Sequence, residues 1–156
     1  MSNAMDGAVN GWLQHRMVLD DLLALVDDAH LHYRPWEGAM SLGELTIHLV
    51  TTTHKFMTGI KKGEFDEPPN VGDYQTIDEL RTIVQHYTDQ TQEEISSIFT
   101  WQMKGYVLYG DMRAPGTYWF SHAIDYEVHN KGQLFTYLHL IGVKDLPKFI
   151  RRPDEM

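Results

Sequence analysis

The chain of 156 residues has no cysteine, an absence that removes disulfide staples, thiolate zinc sites and cysteine nucleophiles together. Any thiol chemistry would need a thiol brought by a substrate, and the expected compartment is the reducing cytoplasm. Basic charge is also scarce. Lys+Arg number 13 against Asp+Glu 22, a net charge of -9, which repels phosphate backbones and anionic headgroups and argues against nucleic-acid and membrane-surface roles. No apolar run approaches the roughly 20 residues of a bilayer-spanning helix. There is no glycine-rich phosphate loop, no nucleophile-elbow motif and little of the alternation that marks strands.

What is present is helical periodicity. Met1-Ser2-Asn3-Ala4, ahead of Met5, resembles a remnant of recombinant expression, which leaves 5–156 as one domain of ordinary size. From about Gly7 to Ala29, Val9, Trp12, Leu13, Met17, Leu22, Leu23 and Val26 recur at three-and-four spacing and predict an amphipathic helix. Ser41-Leu42-Gly43-Glu44 has the form of a capping box and should open a second helix that ends near Gly63. Thr76-Ile77-Asp78-Glu79 repeats the pattern and should open a third, running to about Thr100. The stretch from Trp101 to Ala114 reads as irregular, with Tyr106-Val107-Leu108-Tyr109 a candidate extended piece. Pro115-Gly116 can open a fourth long helix that reaches Leu140 or Ile141 and stops at Gly142. The fold class is therefore all-α, a four-helix bundle.

At 100° per residue, Trp119, Ala123, Leu134, Tyr137 and Ile141 define the core side of the last helix, and Tyr126 and Asn130 fall within that arc. Asn130 then needs a polar partner in the core, because an unmet buried amide costs roughly 1 to 3 kcal/mol. Glu127, at the other edge, needs one too, such as an arginine or a backbone group. Asp125 points away, and His122 and His129 lie on the rim. On the second helix, His48 flanks the apolar stripe on the side of Glu44.

Ser41-Leu42-Gly43-Glu44-Leu45-Thr46-Ile47-His48 is similar to the second-helix signature of the DinB-like family. The run from Trp119 through Gly142, with Glu127, His129, Lys131, Gly132, Gln133-Leu134 and Tyr137-Leu138, resembles that family's fourth helix. The resemblance implies an up-down-down-up bundle, frequently a homodimer, with a divalent metal such as zinc or nickel held by one histidine of helix two and a histidine pair at i and i+4 of helix four. It also implies hydrolase or thiol-transferase chemistry in some relatives. Carried onto this chain, the metal positions are His48, Tyr126 and Asn130, of which only His48 is histidine. An amide oxygen is a weak ligand, and a phenol, titrating near pH 10, must lose a proton before it binds well. The site is thus expected to be degraded or altered. If the protein is an enzyme, it should be a divalent-metal-dependent one of this type.

Two shifted ligand sets are open: Asp125 with His129, which needs a rotated helix, and His122 with Tyr126 and His48. So are plainer readings. His48 could be satisfied by a neighbouring carbonyl or Glu44, Tyr126 could be a packed aromatic, and Asn130 could pair with His48 or Tyr126. Trp101, Tyr106, Tyr109, Tyr118, Trp119 and Phe120 could wall a small-molecule pocket or belong to the core. Asp20-Asp21 and Asp27-Asp28 read as a solvated face. Three classes of function follow: a metal-dependent enzyme, a metal-free small-molecule binder, or a structural homodimer with a vestigial site.

Overall fold

Two local signals set where the second and third long helices begin. In α2 (Leu42–Lys62) the Glu44 amide donates to the Ser41 hydroxyl at 3.1 Å, and the Ser41 amide donates back to the Glu44 carboxylate at 2.9 Å. In α3 (Ile77–Ser96) Thr76 and Glu79 make the same reciprocal pair. Each box satisfies amides that the first helical turn leaves without partners. The computed structural model describes residues 5–156, so the expression remnant expected at 1–4 lies outside the described residues.

Helix α1 (Asp6–Leu23) stops six residues short of the expected Ala29, and a single 3-10 turn follows at Asp28–His30. The aspartates provide the reason. The Asp28 carboxylate accepts the Ile77 amide at 2.8 Å, tying the chain here to the start of α3, and the Asp27 side chain caps a new turn in place of continuing α1. Asp20 and Asp21 are likewise clasped, by Arg81 and Arg151, which corrects the expectation of a merely solvated acidic face. Helix α3 ends at Ser96 rather than Thr100, because the Ser97 hydroxyl donates to the Glu93 carbonyl and the Gln102 side chain accepts the Phe99 amide to start a new turn.

That turn, α4 (Thr100–Lys104), and a hairpin of β1 (Tyr106–Tyr109) with β2 (Met112–Pro115) occupy the stretch expected to be irregular. The extended piece at Tyr106–Tyr109 is present, and its partner strand was not expected. The last helix, α5 (Gly116–Leu140), follows directly. Among the described residues no helix is long and apolar enough to cross a membrane.

The four long helices pack in a cycle: α2 against α3 and α5, and α1 against the same two. Leucines and valines of all four, such as Leu22, Leu49, Leu80 and Leu134, form the main core. A second, aromatic core under the hairpin joins Trp12, Phe56, Met57 and Trp119. Arg16 and Glu127, each 1% exposed, cross between α1 and α5. Two guanidinium nitrogens reach the carboxylate at 3.2 and 2.5 Å, the Trp12 indole N–H adds a third donor at 2.9 Å, and Arg16 also donates to the α3 hydroxyl of Thr88. The arginine partner expected for Glu127 is therefore present.

The loop between α2 and α3 folds back along α2 and seats a ring on each of two glycines. A Cβ at Gly59 would lie 2.0 Å from the Phe65 ring, and one at Gly43 would lie 2.7 Å from the ring of Tyr74. Absence of a side chain is what admits the rings. On the last helix, the buried Lys131 ammonium donates to the Phe149 carbonyl and to His15 Nδ1, pinning the C-terminal segment against α1.

Candidate functional site

The facing sides of α2 and α5 bring His48 and Tyr126 together. The two rings meet edge-on with centroids 5.5 Å apart, and His48 Nε2 is hydrogen-bonded to the Tyr126 hydroxyl. Burial lowers the pKa of His48 below the usual imidazole value, so at neutral pH the ring is uncharged and can accept the phenol proton at Nε2. This identifies the partner of His48: the Tyr126 hydroxyl, not Glu44, which instead binds Arg34 at 2.7 Å.

Asn130 stands one turn further along α5. Its amide donates to the Tyr126 backbone carbonyl at 2.8 Å, so the polar partner demanded by its burial comes from its own helix. The three positions carried over from the family are thus neighbours, yet two are already committed to each other and the third to backbone. Among the shifted sets, Asp125 is exposed and His129 is exposed and bonded to Gln133 at 3.1 Å. His122 packs its ring on Phe56, centroids 5.0 Å apart, and lies 6.3 Å from the Tyr126 ring. One imidazole with an engaged Nε2, one phenol and one amide fit a tightly held divalent ion poorly, since zinc and nickel prefer several imidazole, thiolate or carboxylate donors.

The His48–Tyr126 contact separates two open clefts. On one side lies a cleft of about 350 Å³, lined by Thr51, Thr52, Lys55, Phe56, Glu67, Pro68, Tyr109 and His122 as well as the pair itself. On the other lies a cleft of about 380 Å³, where Trp36, Met40, Leu45, His129, Asn130, Gln133 and Tyr137 join them. Both volumes fall in the lower part of the range for small-molecule sites, roughly 300 to 1,000 Å³. Of the aromatics considered as pocket walls, Tyr109 lines the first cleft. Trp119 is core, its indole donating to the Val107 and Ala114 carbonyls, and Trp101 and Tyr106 are exposed.

Lys55 and Glu67 were not singled out from the sequence. A signal for Lys55 was available: it follows His48 by seven residues, two turns along the same stripe of α2. Nothing local announces Glu67, whose place depends on how the loop folds back.

The comparisons with known proteins agree with this architecture. The model of the DinB family matches residues 1–152. YjoA of Bacillus subtilis strain 168, described as an uncharacterized protein, is 28% identical over 148 residues, covering 92% of this chain and 95% of its own. The crystal structure of that DinB-like protein superposes with a TM-score of 0.84 at 27% identity, covering 94% of this chain and 99% of that one. A DinB-like protein from Bacillus cereus ATCC 10987 shares the fold, with a TM-score of 0.76 at 16% identity over 94% of this chain and 98% of the other.

Proposed function

The chain belongs to the DinB family, and from that premise we propose that it binds a small organic molecule between α2 and α5 without a resident metal. The reading rests on one observation: His48 and Tyr126 bond to each other where the family places metal ligands, and the pair lines two small-molecule-sized clefts. A cation at His48 would have to displace the Tyr126 hydroxyl and would find no second imidazole among the carried-over positions. The altered set instead offers hydrogen-bonding groups beside aromatic walls, which is the composition of an organic-ligand pocket.

Two measurements test it. Elemental analysis of untagged protein, before and after incubation with zinc or nickel and dialysis, should give far less than one equivalent per chain. Near-stoichiometric metal that disappears in His48→Ala would overturn the reading in favour of a metal-dependent enzyme. A thermal-shift screen of small organic acids, amides and amines should yield ligands that stabilise the protein, and Thr52→Phe, which fills the first cleft, should abolish the effect of those bound there. The homodimer implied by the resemblance belongs to the same proposal. Phe99, Trp101, Tyr106 and Leu108, all exposed around α4 and the hairpin, are its candidate surface, and a monomeric mass by light scattering would remove it.

A further inference from the structure

Lys55 differs from the other lysines in ion pairs. Its side chain is 7% exposed, while the carboxylate it meets, that of Glu67 at 3.1 Å, belongs to a side chain 90% exposed. The ammonium also lies 5.0 Å from the centroid of the Tyr109 ring. A cation has therefore been drawn out of water at the floor of the first cleft, and the carboxylate facing it stands in solvent at the rim. Taking an ammonium out of water is unfavourable unless a partner compensates. A largely solvated carboxylate compensates weakly, because exposed ion pairs contribute little. Glu67 is also the one acidic side chain among those lining this cleft.

Resting on the small-molecule reading above, we propose that the first cleft takes a small carboxylate with a flat apolar body, its carboxylate replacing that of Glu67 on Lys55. The chemistry at the nitrogen is already displayed, since Lys55 holds a carboxylate in the folded chain. The partly exposed Tyr109 ring and the rim of the buried Phe56 give the cleft an apolar wall for the body of such a ligand, and Thr52 lines the same cleft. An incoming carboxylate that also buries a ring gains apolar contact that Glu67, with its short aliphatic stem at the rim, does not make. The exchange is an ion-pair swap, so no covalent step is involved. Glu67 becomes a competitor for the ligand, which gives it a role opposite to that of a binding residue.

The test uses benzoate, benzamide and benzylamine as matched anionic, neutral and cationic probes, titrated into the whole protein and followed by NMR shifts and by thermal stabilisation. Benzoate should bind at least about tenfold more tightly than benzamide, the scale of one charge-assisted hydrogen bond, and benzylamine should bind most weakly. Lys55→Gln should erase the preference for benzoate over benzamide. Glu67→Gln, at a side chain that is 90% exposed, should tighten benzoate several-fold. Equal binding of benzoate and benzamide in the wild type, or no gain in Glu67→Gln, would overturn the carboxylate assignment and leave the cleft as a neutral-ligand site. Failure of all three probes to bind would overturn this assignment, and a blank thermal-shift screen would then overturn the small-molecule reading as well. Inorganic phosphate competing as well as benzoate would show a general anion site and would also overturn it. Should Lys55→Gln unfold, the Glu67→Gln and probe comparisons decide the matter alone.

Discussion

Glu127→Leu should be among the most destabilising single substitutions in this chain. It removes the acceptor of three hydrogen bonds, two from Arg16 and one from Trp12, and leaves a guanidinium that is 1% exposed with only the Thr88 hydroxyl at 3.2 Å. Breaking one side of a buried ion pair costs about 3 to 5 kcal/mol, and the orphaned indole N–H adds roughly 1 kcal/mol. For a domain of this size, where 1 kcal/mol shifts Tm by about 2 to 4 °C, the variant should melt at least about 8 °C lower. The partner substitution Arg16→Met should cost a similar amount, since it strands the carboxylate instead. The double variant is the decisive one: with both charges gone, it should be more stable than either single variant, giving a coupling energy of at least about 2 kcal/mol in the cycle. Urea denaturation of the four proteins at one pH supplies the numbers. If the two losses simply add, or if Glu127→Leu costs under about 1 kcal/mol, the sealed ion pair is not what joins α1 to α5 and the reasoning fails.

Acidification probes the half-buried histidines. Burial lowers the pKa of His15, His48 and His54, with the Lys131 charge adding to the shift of His15; unfolded imidazoles take up protons near pH 6.5 while the folded ones resist. Their contribution is therefore intact above about pH 7 and is lost as pH falls through 6.5 toward the lower folded values, so urea midpoints should drop over that window, less steeply in His54→Gln; identical slopes would refute the argument. Lys131, pushed down to about 8 by burial, with Glu127 opposing the shift, contributes stability that is full above its unfolded value near 10.4 and is lost as pH falls to about 8. Its Nζ resonance should titrate near 8 by NMR, and a midpoint near 10 would show that the C-terminal segment does not bury it. Gly59→Ala should cost about 1 to 3 kcal/mol, because the new methyl would lie 2.0 Å from Phe65; a chemical-denaturation midpoint matching the wild type would mean that the ring does not seat there.

Features written into a few adjacent residues were legible in the sequence. The starts of α2 and α3 are such features, since a capping box needs only Ser41 with Glu44 or Thr76 with Glu79. The end of α1 was not, because Val26 continues the apolar spacing while the competing bond runs from Asp28 to Ile77, 49 residues away. The same distinction divides the site. His48 and Tyr126 were brought together by the family resemblance and do touch. The Lys55–Glu67 pair depends on a loop whose path is set by ring-on-glycine contacts, and apolar periodicity carries no record of those. Helical arithmetic placed Asn130 in the core but left open which polar atom would meet it, and that atom is the Tyr126 carbonyl of its own helix.

The loop from α2 to α3 resembles a rope made fast at two cleats, since Phe65 and Tyr74 rest on glycines that lie about 24 Å apart along the α2 axis. Cutting such a rope in the middle releases neither end. A protease nick between the exposed Pro69 and Asn70 should therefore leave both stubs tied and the bundle folded, which makes this peptide bond the natural place to open the chain for a circular permutant.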